Sequence, residues 1–133
     1  MIAPEQLAAL EYAARAWEHR PEMRCQVAMG EIYFAAGLLP RFEIPEGSRD
    51  WARAQAREVI IPGVESCGYF VEVDPPAQAG DLLGFRLGHT LHHLAILLGG
   101  GRMVHVYGTH GVLIAPCVPE PWAKRLAKIW RLK

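Results

Sequence analysis

The sequence carries no excess of charge: lysine plus arginine and aspartate plus glutamate both number 14 in 133 residues. Without a net field nothing global holds a polyanion, so nucleic-acid binding drops out as a leading function. Cysteine is scarce. Cys25, Cys67 and Cys117 are widely spaced and form no C-x-x-C pair. Such an odd set builds neither a disulfide framework nor a zinc ribbon, and leaves at least one thiol free. No stretch approaches the ~18 apolar residues of a membrane span. No basic-then-apolar leader opens "MIAPEQLAALEYAARAWEHR". These absences predict a chain made in the cytosol with no membrane span. Metal chemistry lacks its usual donors too, with no H-x-x-x-H pair on a helix and no carboxylate pair nearby, so no metal and no cofactor is expected.

What is present is a chain that is 51% hydrophobic and of single-domain size, read as one domain over residues 1–133. Residues 4–18 predict a helix, with Pro4 at its first position and Leu7, Leu10, Ala14 and Trp17 recurring on one face. A second helix follows in "EMRCQVAMGEIYFAAGLLP", ended by Gly37 and Pro40. Gly30 inside it costs about 1 kcal/mol against alanine, which points to close packing there. "RDWARAQAREVI" reads as a short helix started near Ser48 or Asp50.

From about residue 68 the period changes. "GYFVEV", "DLLGFRL", "LAILL", "MVHVY" and "VLIA" are short apolar runs, the later ones separated by glycine-rich turns. They predict an antiparallel meander. The tail, "PEPWAKRLAKIWRLK", returns to helical spacing through Trp122, Leu126 and Ile129. Helices followed by a run of strands give an α+β fold, N-terminal helices packed on a C-terminal β-meander.

Cys25 lies in the first turn or so of the second helix, where backbone N–H groups carry about half a positive charge. That setting, with Arg24 alongside, favours a thiolate; the alternative is a small buried hydrophobe. Cys67 and Cys117 have no helix dipole behind them and read as structural. His93 and His105 stand equally far from a turn centred near Gly99 and Gly100, so the sequence places them roughly opposite one another on one face. Directly paired positions bring Cβ atoms to about 4.5–5.5 Å, close enough for one ring to hydrogen-bond the other. A base whose second nitrogen is held by a partner is what a cysteine nucleophile requires. A plain pair of half-buried cross-strand histidines is the competing reading.

"GDLLGFRLGHTLHHLAILLGGGRMVHVYG" resembles the signature half of the NlpC-type papain-like cysteine peptidases. The resemblance implies a papain-like NlpC-type fold, with His93 as general base and His105 as the third, orienting residue. Gly80 and Asp81 match the "GD" that opens the preceding strand. Cys25 has the placement of the family's nucleophile, although Arg24, Gln26 and Val27 stand where D-C-x-G-L is usual. "HGVLIAPCVPEPWAKRLAKIWRLK" and "ARAWEHRP" resemble a phage-associated branch that includes cell-wall peptidases of gene transfer agents and tail tips.

The implied activity is hydrolysis of amide bonds in peptidoglycan stem peptides. The partners the resemblance implies are the stem peptide and phage-like tail proteins, and the route to the wall it implies is delivery within a phage-like particle. The altered cysteine region leaves a second reading open: the same fold as a structural or wall-binding piece of such a tail. Lys124, Arg125, Lys128, Arg131 and Lys133 read as a solvated basic face over packed tryptophans, or more sharply as a contact to an anionic wall polymer or tail partner.

Overall fold

Helices on one side of a six-stranded sheet make up the fold in the computed structural model, which describes residues 2–20, 24–44, 60–87, 90–107, 111–116 and 122–133. Helix α1 (Pro4–Trp17) opens on a proline, whose missing N–H is no loss at that position. The Gln6 side chain turns back to accept the Ala3 N–H at 2.7 Å. Leu10, Ala13 and Ala14 form its buried face. Helix α2 (Cys25–Ala35) starts at Cys25 itself, because Arg24 is extended at φ −73° and ψ 146°. It stops at Gly37, whose φ of 75° lets the Leu38 and Gly37 N–H groups donate to Tyr33 and Phe34. The close packing expected at Gly30 is there: an added β-carbon would fall on Cδ1 of Ile44.

Helix α3 (Ile60–Ser66) precedes strand β1 (Phe70–Glu72), and then come β2 (Leu82–Leu87), β3 (Thr90–Leu97), β4 (Arg102–Val106) and β5 (Val112–Pro116). A single turn α4 (Trp122–Arg125) leads into β6 (Leu126–Leu132). The sheet order is β1-β6-β2-β3-β4-β5, antiparallel throughout. The α+β class holds, and β2 to β5 form the expected meander.

The tail departs from expectation. Among its described residues only Trp122–Arg125 is helical, and Leu126–Leu132 inserts as a strand between β1 and β2. Leu126, Ile129 and Trp130 fit a helical period, but the gap in the sheet offers hydrogen-bonding ladders on both sides, with Phe70 opposite Leu132 and Leu82 opposite Trp130. It also offers apolar cover on both faces. Trp130 joins Leu10, Ala28, Ile32, Leu94 and Val104 under the helices, while Ile129 joins Leu83, Phe85, Ala95 and Met103 on the other face. Burying each such large side chain is worth roughly 1.5–3 kcal/mol, enough to override local propensity. Two tail cations are paired rather than solvated: Lys128 with Glu65 and Glu72, and Arg131 with Asp81.

Polar clasps fix the layers. The Glu11 carboxylate accepts from the Gly99 N–H at 3.1 Å and from Arg102 Nη2 at 2.8 Å, tying α1 to the β3–β4 turn. Asp81, 2% exposed, takes both ends of the Arg131 guanidinium at 2.9 and 2.8 Å, and its Oδ2 also accepts the Gln78 N–H at 2.8 Å. After α1, the His19 N–H donates to the Val112 carbonyl and the Val112 N–H to that of Arg20, covering the start of β5. The helix expected over residues 49–60 lies, apart from Ile60, outside the described residues, as does Cys117. No described helix is long and apolar enough to cross a membrane.

Candidate active site

Cys25 is the first residue of α2, so its own N–H and that of Gln26 precede the first intrahelical bond, which runs from the Ala28 N–H to the Arg24 carbonyl. The side chain points inward and is 8% exposed. Its sulfur lies against the backbone of Leu94 on β3, and the thiol reaches Gln26 Oε1 at 3.6 Å. Burial pushes the thiol up to about 11; hydrogen bonds from the backbone of Leu94, Gln26 and Cys25 act in the opposite direction and do not overcome it. The lowered pKa expected from the helix start is therefore not met. Desolvation of an anion in an apolar wall outweighs a half-charge of dipole.

The two histidines are brought together. His93 Nε2 and His105 Nδ1 are 2.9 Å apart, the rings nearly perpendicular at 86°, and the residues 6% and 1% exposed. The register differs from the sequence estimate. Ala95, not His93, is directly opposite His105, so the pair is diagonal. The cause is the turn, where Gly100 and Gly101 both take positive φ in a tight 3₁₀ turn and move its centre. A shift of two residues keeps both rings on one face, and diagonal neighbours remain within reach of ring side chains. Phe85, paired with His93 across β2 and β3, packs its ring 5.9 Å from the imidazole.

Burial lowers His105 to a pKa of about 4, so it is a neutral ring at ordinary pH. A neutral imidazole has one donor and one acceptor nitrogen, and the 2.9 Å contact fixes the two rings' tautomers together. If His105 Nδ1 accepts, His93 carries its proton on Nε2 and its Nδ1 has the lone pair a base needs. Along β3 the side chains alternate. Leu94 and Ile96 enter the layer shared with α2, whereas Ala95 packs with Phe85 and Met103 on the other side. The Cys25 sulfur thus meets β3 at the backbone position next to His93.

Tyr33 plays a part the sequence did not single out. Tyr33 is buried and donates its hydroxyl to the Gly80 carbonyl at 2.7 Å, which ties α2 to the turn before β2. Burial, reinforced by the Asp81 charge, raises its pKa well above the usual tyrosine value and keeps it a donor. Cys67 is half-buried and donates to the Val64 carbonyl at 3.1 Å, in keeping with a structural role.

An α+β fold with a thiol at a helix start and a buried imidazole pair on the sheet behind it has the ingredients of a thiol hydrolase. The sequence model of the NlpC/P60 family matches residues 29–131, and the chain belongs to that family; the match begins beyond Cys25. Solved structures share the fold. An NLP/P60 family protein similar to lipoprotein, from Staphylococcus aureus, has a TM-score of 0.62 at 20% identity, covering 98% of this chain and 42% of that one. The NlpC/P60 domain of the peptidoglycan hydrolase SagA has 0.59 at 22%, covering 92% of this chain and 96% of that one. The peptidoglycan hydrolase RipB from Mycobacterium tuberculosis has 0.54 at 18%, covering 98% and 67%. The chain therefore spans less than half of the staphylococcal protein and nearly all of the SagA domain. No curated protein matches it.

Proposed function

We propose that the protein is a cysteine hydrolase that cuts amide bonds in peptidoglycan stem peptides. Cys25 is the nucleophile, His93 the general base and His105 the residue that orients the base. The observation carrying this reading is the buried 2.9 Å contact between His93 Nε2 and His105 Nδ1, one strand position from the backbone that meets the Cys25 sulfur.

With its pKa near 11 the resting thiol keeps its proton, so attack and proton removal are coupled rather than starting from a standing thiolate. His93 Nδ1 takes the proton as sulfur bonds to the carbonyl carbon. The C–N bond then breaks, and the same proton goes to the leaving amine. Water, deprotonated by His93, cleaves the thioester and restores the thiol. Neutral His105 accepts from His93 Nε2 throughout and holds the imidazolium that forms in between. The Cys25 N–H at the helix start faces the developing oxyanion, and a donor of that kind contributes about 10²–10³-fold in rate.

The test is release of peptides from purified peptidoglycan, followed by mass spectrometry. The wild type is expected to release them and Cys25→Ala to release none. Retained hydrolysis in Cys25→Ala removes the nucleophile assignment.

A second reading is favoured by the raised thiol pKa and by Arg24, Gln26 and Val27 in place of the family's usual residues. In it the fold is a non-catalytic, wall-binding component of a phage-like tail. That reading expects binding to the wall, association with tail proteins and no peptide release from the wild type.

A further inference from the structure

Four rings stand in a row on the face of the sheet that carries Ala95 and Met103. Between centroids, Phe85 lies 5.9 Å from His93, His93 5.1 Å from His105, and His105 5.7 Å from Tyr107. Phe85, at one end, is fully buried, whereas Tyr107, at the other, is 48% exposed. We propose that Tyr107 is a positioning residue, whose ring shuts water away from His105 and so keeps that imidazole a neutral acceptor for the base. The inference rests on the hydrolase reading above and adds a residue to its machinery.

The strand puts Tyr107 there. Side chains alternate along β4, so Met103, His105 and Tyr107, one step past its end, point to one face. Met103 and His105 are buried and Tyr107 is half in solvent, so on this line burial ends at the tyrosine ring. The Tyr107 N–H donates to the Gly111 carbonyl at 3.0 Å, which fixes the backbone from which the ring projects.

The remaining neighbours of His105 are apolar apart from its partner. His93, Ala95 and Leu97 face it from β3, and Leu113 and Ala115 from β5. Helix α2 packs on the opposite face, where Val104 points. Among the described residues of β3, β4 and β5 on this face, the titratable groups are therefore His93 and the Tyr107 phenol. Burial, rather than a charge, is what lowers His105 to about 4. Water admitted beside the ring would restore part of the lost solvation and let it take a proton nearer its ordinary pH. Protonated, His105 carries an N–H on both nitrogens. Its Nδ1 then no longer accepts from His93 Nε2, and the base loses the bond that sets its tautomer.

The test reads His105 directly in ¹³C-labelled full-length protein, with its ring signals assigned by their loss in His105→Asn. In the wild type they are expected to keep their neutral positions from pH 8 down to 5. In Tyr107→Thr they are expected to titrate with a midpoint between about 5.5 and the free value of about 6.5. Tyr107→Phe keeps the ring and is expected to behave as the wild type. Tyr107→Ala is read in the same way should the threonine variant not fold.

Peptide release from purified peptidoglycan is then followed against pH. The rate of Tyr107→Thr relative to the wild type is expected to hold level above pH 7.5 and to fall about 2- to 10-fold by pH 5.5, as His105 takes its proton. The corresponding ratio for Tyr107→Phe stays level throughout. A His105 titration that does not move in a folded variant overturns the shield, and a threonine ratio that stays flat with pH overturns its part in catalysis. If the titration moves as described and the wild type releases no peptide, the shield stands and the hydrolase reading fails.

Discussion

Replacing His105 with asparagine removes a titration that burial has displaced, and the stability of the protein should register it. The unfolded chain's imidazole binds a proton below about pH 6.5, whereas His105 in the fold binds one only below about 4. Between those values the unfolded state holds the extra proton, so stability falls as the pH falls. At about 1.4 kcal/mol per pH unit, the full interval is worth about 3 kcal/mol. That contribution is complete above pH 6.5 and gone below pH 4.

The assay is urea unfolding of wild type and His105→Asn at several pH values from 7.5 to 4. The rest of the chain is common to both proteins, so the difference between the two is read. It is expected to shrink by about 3 kcal/mol toward acid, with the wild type losing more. A difference that stays flat to within about 1 kcal/mol would refute the burial argument. So would an NMR titration placing His105 near 6.5.

Gly80→Ala is expected to destabilise by about 1–3 kcal/mol, because φ there is +96° and Ile2 Cδ1 lies 2.8 Å from the added β-carbon; chemical denaturation measures it. Glu11→Ala strands the Gly99 N–H and leaves Arg102 with its bond to the Gly99 carbonyl but without its carboxylate, at a cost of about 1–2 kcal/mol, and hydrogen exchange of the Gly99 amide should accelerate. Asp81→Ala leaves the Arg131 guanidinium without its carboxylate and the Gln78 N–H without an acceptor. About 2–3 kcal/mol is expected, below the range for a fully buried pair because the Arg131 side chain is 26% exposed.

Local signals read well. Pro4, Gly37 and the glycine-rich turns act within a few residues of themselves, so α1, the end of α2 and the β2–β5 meander were legible. Gly30 announced the approach of Ile44 because a glycine inside a helix has few other reasons to be there. The shared face of His93 and His105 was legible because strand periodicity fixes it, whereas their register depended on how Gly100 and Gly101 turn. Two properties were hidden for one reason. The insertion of Leu126–Leu132 and the high thiol pKa of Cys25 both arise from partners far along the chain. Neither spacing nor helix position reports how much apolar surface will close over a group.

The place of β6 has a consequence for how the molecule is made. A chain emerging from the ribosome can zip β2 to β5 together as each hairpin appears, but the slot beside β2 stays open until β6 arrives. Until then the nascent sheet presents an uncapped edge, the kind of surface that recruits neighbouring chains or chaperones. A substitution that disturbs Leu126–Leu132 would leave β1 and β2 without the strand they share and expose two ladders at once.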